Sequence, residues 1–184
     1  MARMVIDGFG QVELNNVAFR RDGRIEAQCA LDTTAFTENV PCENGMILRV
    51  KKAEHKITFA DASAANQLYA LNYTSEHMYD ERKPGLKNFK LVSAAAGEDF
   101  LPRVGYLAYG DLWTTNTVDL GTYASAGAVE AALASNIAVY AAAGTDGYAT
   151  LASSAPASGL VMQVIKKTTM PDGQDAFQLQ VLKV

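Results

Sequence analysis

Cysteine and histidine are the residues of this chain best suited to nucleophilic or metal chemistry, and the sequence holds two of each. His55 and His77 lie far apart, and neither has the spacing to the other, or to a cysteine pair, that a zinc site needs. Cys42 could be paired as a nucleophile with either histidine, but activation of a thiol requires a geometry that a sequence does not show. We expect both cysteines to stay reduced, with Cys29 in the core and Cys42, which follows Pro41, as a half-exposed thiol.

Carboxylates and glycine motifs give no better indication of catalysis. The adjacent pairs Asp80-Glu81 and Glu98-Asp99 would point to opposite sides of a strand, so neither forms a natural acid–base couple. The spacing of a calcium loop and the glycine patterns that bind phosphate do not occur in the sequence. The sequence therefore predicts neither an enzyme nor a cofactor or metal site.

The composition is that of an ordinary globular chain. It has 184 residues, of which 49% are hydrophobic and 20% charged, enough for one domain or two small ones. The net charge of -4 lacks the basic excess of nucleic-acid-binding proteins, so we expect no direct nucleic-acid partner. No apolar stretch reaches the roughly 20 residues of a membrane span, and residues 1–8 do not form a signal peptide. We therefore expect a protein made in the cytoplasm without a membrane partner.

Alternating apolar and polar residues predict a chain built mainly from short strands. The alternation is clearest at residues 25–31 and 177–182, where the apolar side chains share one face. Dipeptides that supply the positive φ angles of tight turns occur at Asp22-Gly23, Asn44-Gly45, Asp146-Gly147 and Asp172-Gly173. The predicted strands cover residues 11–19, 25–31, 46–50, 56–60, 67–73, 86–92, 103–109, 112–118, 136–142, 147–151, 160–166 and 177–182.

Helix-forming sequence is scarce. Residues 125–135 are rich in alanine, with Ser125 as a candidate N-cap and Asn136 just beyond the end. Residues 61–67 could form one further turn. The predicted fold class is mainly β: a small β-barrel or β-tulip-like domain with at most two short helices, plus an N-terminal arm or hairpin region.

Proline and small residues indicate where the chain divides. Pro41 would end an N-terminal arm or hairpin region, residues 1–40, before a β-rich domain, residues 41–184. Residues 93–100 begin with a run of small side chains and mark a second, internal boundary. We hypothesise that residues 1–37 pack largely on a neighbouring subunit. If they belong to the core instead, their deletion would cause aggregation.

Charged and aromatic residues supply the candidate interface. The arginines of the N-terminal region would face acidic groups of a partner, where charges set orientation and association rate. Residues 79–90 mix both charge signs around a Pro-Gly turn. This segment is either a solvated loop and edge strand or a docking loop that meets a charged surface of a partner. The aromatic residues of the strands are either core and barrel rim or interface anchors. The candidate interface residues are Arg20, Arg21, Arg24, Tyr79, Arg82, Lys83 and Trp113.

The last third of the chain has a recurring order of short strands and tight turns. It contains Tyr109-Gly-Asp-Leu-Trp-Thr-Thr-Asn, Asn136-Ile-Ala-Val-Tyr, Gly144-Thr-Asp-Gly-Tyr-Ala-Thr and Gly159-Leu-Val-Met-Gln-Val-Ile. This order resembles the small β-domain of the capsid decoration, or cement, proteins of tailed bacteriophages. The resemblance implies a virion protein that sits on the outer capsid surface, commonly as a homotrimer. It would clamp neighbouring major capsid protein subunits after the shell expands.

Two other functions are compatible with the same sequence. The first is another phage structural role, as a head–tail connector or tail component built on a similar small barrel. The second is a carbohydrate-binding β-domain, in which Trp113 and the tyrosines Tyr69, Tyr73, Tyr106 and Tyr109 would form a stacking platform.

Overall fold

The structure is a computed structural model, and it describes residues 8–37, 39–60, 67–74 and 101–184. These residues form two β-sheets and two short helices, so the predicted mainly β class is confirmed. The strands are β1 (Val12–Asn16), β2 (Ile25–Glu26), β3 (Ala30–Leu31), β4 (Ile47–Lys51), β5 (Lys56–Phe59), β6 (Tyr69–Asn72), β7 (Val104–Tyr106), β8 (Leu112–Thr115), β9 (Val118–Asp119), β10 (Tyr140–Ala143), β11 (Ala149–Ala152), β12 (Val161–Thr169) and β13 (Asp175–Lys183). The helices are α1 (Ala18–Asp22) and α2 (Ala126–Ala134).

The larger sheet has seven strands in the order β1-β8-β13-β12-β10-β11-β9. Its centre is the long hairpin of β12 and β13, whose loop contains Gly173 at a φ of 89°. A second hairpin joins β10 to β11 through Gly147 at a φ of 86°. Only glycine adopts this backbone region without strain, so the predicted turns at Asp146-Gly147 and Asp172-Gly173 are confirmed.

The smaller sheet has six strands in the order β2-β7-β6-β4-β5-β3. Its two edge strands are joined by residues 27–29 alone, a connection that reaches at most about 14 Å. Six strands of a flat sheet would place those edges about 24 Å apart. The sheet must therefore curl strongly, although its ladder of hydrogen bonds does not close into a barrel within the described residues.

Two hydrophobic clusters lie on opposite faces of the curled sheet, as the alternation along β4 illustrates. Ile47 belongs to the main cluster, which includes Trp113 and Leu179 of the seven-stranded sheet, and the sheets therefore pack face to face. Leu48 points the other way, into a smaller cluster that joins residues of β3, β4, β5, β6 and β7. Such a cluster is what the inner side of a curled sheet requires.

Helix α2 begins and ends where the sequence predicts. The Ser125 hydroxyl accepts a hydrogen bond from the Ala128 N–H at 3.2 Å, which caps the first turn. At the other end, Ile137 donates to the Ala132 carbonyl and Asn136, at a φ of 57°, donates to the Leu133 carbonyl. This pair of bonds is a Schellman motif, which satisfies the last carbonyls of the helix.

The N-terminal region is part of the fold and not an arm, which corrects the sequence-based hypothesis for the described residues 8–37. Strands β1, β2 and β3 pair with β8, β7 and β5, so this region contributes to both sheets. Phe19 is fully buried in the main cluster. A boundary at residue 40 does not separate these strands from their partners.

Local predictions fail where one stretch of chain serves two elements. The predicted strand 11–19 ends at Asn16, and α1 follows, so Gly23 with a φ of 68° ends a helix and closes no hairpin. The predicted strand 25–31 is split into β2 and β3, and the strand predicted from residue 136 begins at Tyr140. The predicted strand 86–92, the boundary at 93–100 and nearly all of the predicted turn 61–67 lie outside the described residues.

Candidate docking surface

The predicted interface residues fall into three structural groups. Arg20 and Arg21 are exposed on α1, and Arg24 is half-buried just beyond its end. Trp113 is fully buried in the core, so its assignment as an interface residue is wrong for the folded chain. The remaining residues, Tyr79, Arg82 and Lys83, lie outside the described part of the chain. We call α1 with its arginines the arginine helix.

The arginine helix is held to the sheets by one aromatic side chain. The ring of Phe19 packs against the ring of Tyr73, with their centroids 5.1 Å apart. A Cβ atom on Gly105 would come within 2.2 Å of the Phe19 ring, so only glycine leaves room for Phe19 on β7. Burial of this ring fixes the helix, which with five residues is too short to be stable alone.

A buried carboxylate ties the helix to a neighbouring turn. Asp111 is 2% exposed, and its Oδ1 accepts a hydrogen bond from the Ala18 N–H at 2.6 Å. Its Oδ2 accepts from the Ala108 N–H at 2.8 Å. The N-cap residue Val17 provides no side-chain cap, so Asp111 satisfies a donor of the first helical turn from across the fold.

The neighbouring turn, residues 108–111, presents a tyrosine to solvent, and we call it the Tyr109 turn. The Asp111 N–H donates to the Ala108 carbonyl at 3.1 Å, and Gly110 has a φ of 84°, which defines a type II turn. Gly110 donates to the Val181 carbonyl, and Val181 donates back to the Asp111 carbonyl, each at 2.9 Å. Tyr109 is 79% exposed on this rigid support.

A groove adjoins the arginine helix at Arg20. It encloses about 350 Å³ and is lined by Leu14, Arg20, Ile25, Tyr73 and Arg103. Burial raises the pKa of Tyr73, while Arg103 and then Arg20 act in the opposite direction because a cation stabilises the phenolate. Sequence reasoning did not select Arg103, and nothing in the residues around it indicates that it approaches Arg20.

Cys42 is not the half-exposed thiol predicted from its position after Pro41. It is 1% exposed, and the Asn72 side-chain amide donates to its Sγ at 3.3 Å. Burial, and then the Glu43 carboxylate, raise the pKa of Cys42 far above its ordinary value. The thiol is therefore protonated at neutral pH, whereas a nucleophile requires the thiolate. Cys29 is 2% exposed, which confirms its place in the core.

A second carboxylate has a structural role that the sequence did not indicate. Glu43 is 8% exposed, and it accepts hydrogen bonds from the Tyr148 hydroxyl at 2.8 Å and the Gly10 N–H at 3.0 Å. Burial, and then Glu43, raise the pKa of Tyr148, which stays a neutral donor. Glu43 thus fixes the chain just before β1. Within the described ranges, no group of three or more His, Cys, Asp or Glu residues could hold a metal ion.

The arginine helix and the Tyr109 turn together form the candidate docking surface. Arginine and tyrosine are the residue types that contribute most binding energy in protein interfaces. Neither helix in the described part of the chain has the length and hydrophobicity needed to cross a membrane. The chain matches no protein-family model, no curated protein and no solved structure.

Proposed function

We propose that this chain is a structural virion protein that binds the outer surface of an expanded phage capsid and bridges neighbouring major capsid subunits. The observation that carries the proposal is the junction at Asp111, where one buried carboxylate fixes an exposed tyrosine beside an arginine-bearing helix. The order of turns and strands in the last third of the chain supports the choice of partner.

Pre-organisation is the physical advantage of this surface. The backbone of the Tyr109 turn is held by four hydrogen bonds, which Ala108, Gly110 and Asp111 make with one another and with Val181. Little backbone entropy of this turn therefore remains to be lost on binding. Tyrosine has few rotatable bonds, and its ring can fill an apolar pocket of a partner. The exposed Arg20 and Arg21 would meet carboxylates around that pocket and orient the approach.

Stabilisation of the shell then follows from mass action. A protein that binds the expanded lattice and not its dissociated subunits stabilises the lattice by its binding free energy. Contacts that bridge several subunits and recur over the whole shell multiply a modest gain at each site. Self-association into trimers on the lattice would place three such surfaces on adjacent capsid subunits.

The proposal is tested with expanded capsids of the parent phage that lack this chain. Purified protein is added back, and its occupancy and position are determined by cryo-electron microscopy. We expect density at repeated positions on the outer surface, and a few copies at one vertex would instead indicate a connector or tail component. Absence of the chain from the particle would contradict any virion role.

Point variants test the surface itself. We expect Tyr109→Ala and Arg21→Glu each to weaken capsid binding by roughly 30-fold, the range of interface hot spots. The matched controls are Ile137→Ala, an apolar residue that is 54% exposed elsewhere, and Lys166→Glu, an exposed charge reversal on β12. Equal effects of the variants and their controls would show that the docking surface lies elsewhere.

A further inference from the structure

Two adjoining cavities follow β1, the strand at one edge of the seven-stranded sheet. The first encloses about 290 Å³ and has Glu13 in its lining, and the second is the groove beside the arginine helix. Leu14 and Tyr73 line both cavities, so the two are neighbours, and together we call them the β1 groove.

The β1 groove has the backbone chemistry of a strand-addition site. β1 pairs with β8, and alternate N–H and C=O groups of its other side pair with no other strand of the described ranges. An extended peptide can satisfy such groups by adding as a further strand. Leu14, Ile25 and the Tyr73 ring give an apolar wall for the side chains of that peptide.

The charges of the groove are separated along its length. Glu13 lies in one cavity, and Arg20 and Arg103 lie in the other. Neither arginine forms a salt bridge with a described carboxylate. The Tyr73 hydroxyl is buried beside them, close enough to both arginines for their charges to oppose the rise of its pKa caused by burial.

We infer that the β1 groove binds an extended segment of a partner protein, which adds to β1 as a strand and places a carboxylate between Arg20 and Arg103. A polyanion such as nucleic acid does not fit, because Glu13 and the net charge of -4 would repel its remaining charges. A single carboxylate at the arginine end would accept hydrogen bonds from the guanidinium groups that line that cavity. This inference holds for any partner and does not rest on the proposed function.

The test uses two blocked hexapeptides of strand-forming sequence, acetyl-Asp-Val-Thr-Val-Thr-Val-amide and its counterpart with Lys in place of Asp. Each is titrated into the full-length ¹⁵N-labelled protein, and backbone amide shifts are followed by NMR. We expect the largest shifts at β1 and at Tyr73. The acidic peptide should bind roughly ten-fold tighter than the lysine peptide, as charge-assisted bonds to two arginines require.

Variants and a modified peptide separate the two parts of the inference. Arg103→Glu and, independently, Arg20→Glu should abolish the preference between the peptides, because each leaves no net positive charge at that end, while Lys166→Glu should leave it unchanged. Two further acidic peptides carry N-methyl groups on one or the other alternate set of backbone nitrogens, and the set that faces β1 should abolish binding because strand addition needs those donors. Equal affinity of the acidic and lysine peptides, retention of binding by both methylated peptides, or shifts confined to another surface would each overturn the inference. So would the absence of any shift at millimolar peptide.

Discussion

Replacement of Asp111 should loosen the arginine helix and the Tyr109 turn together. One carboxylate oxygen accepts a hydrogen bond from a backbone N–H of the helix, and the other accepts one from a backbone N–H of the turn. Asp111→Ala removes both bonds, at 2.6 and 2.8 Å, and leaves the N–H groups of Ala18 and Ala108 without these partners. Hydrogen bonds to a charged group are worth about 1.5–3 kcal/mol each, and the relief of carboxylate desolvation offsets part of the loss. We expect a net loss of about 3 kcal/mol in the free energy of unfolding.

Asp111→Asn is the more selective change. The amide has nearly the shape of the carboxylate and keeps one acceptor oxygen, but its NH₂ group would face one of the two backbone donors. We expect a loss of about 2 kcal/mol. The matched control is Asp119→Asn, because Asp119 accepts an exposed backbone bond from Gly121 at 3.0 Å, and its loss should cost less than about 1 kcal/mol.

Urea unfolding monitored by tryptophan fluorescence gives the stability, and native-state hydrogen exchange gives the location. In the Asp111 variants, the amides of Ala18 and Ala108 should exchange faster than the loss of global stability alone explains. The exchange rates of the β12–β13 hairpin amides should change only by the amount that the lower free energy of unfolding predicts. Two results would refute the reasoning. One is an Asp111→Asn variant within about 0.5 kcal/mol of the wild type, and the other is faster exchange at only one of the two elements.

Three further predictions concern the fold. Deletion of residues 1–37 should give an aggregated or molten chain, because β1, β2 and β3 are lost from both sheets; a soluble remainder with native near-ultraviolet circular dichroism would contradict this. The hydrogen bonds of Asp32 with Lys51 and then with Thr34 lower its pKa to about 2, so its stabilisation is present above pH 4 and is lost as the pH falls towards 2. Asp32→Asn should remove about 1–2 kcal/mol of that acid-dependent stability, seen as a flatter plot of urea midpoint against pH between 5 and 2. Cys42 should react with a thiol reagent only after unfolding, which a mass-spectrometric time course of labelling will measure. Fast labelling of Cys42 in the native chain would refute its burial.

The features that could be predicted from the sequence are those that depend on neighbours along the chain. Ser125 and Asn136 mark the ends of α2 because capping groups act within one turn. The Asp146-Gly147 and Asp172-Gly173 turns follow from the φ angles that glycine permits. The same argument wrongly predicted a hairpin turn at Asp22-Gly23, because a glycine at positive φ can end a helix as well as form a hairpin turn.

The candidate site depends on contacts between distant parts of the chain, which no local pattern encodes. Phe19 is buried because Gly105 leaves space for its ring, and Ala18 is capped by Asp111. Residues 25–31 alternate like one strand, yet the two halves pair with β7 and β5 at opposite edges of the curled sheet. The exposed arginines followed from their charge, whereas the burial of Trp113 is decided by tertiary packing.

The strand order of the larger sheet has a consequence for the timing of biosynthesis. The first strand, β1, lies beside β8, and β8 lies beside the last strand, β13. A nascent chain cannot complete this sheet until β13 has left the ribosome, and pairing over such long separations is slow. The Tyr109 turn is bonded to Val181 of β13, so a chain synthesised only as far as β12 lacks the contacts that hold this turn in place. A partner that requires the fixed Tyr109 turn therefore gains its binding site only after β13 has been synthesised.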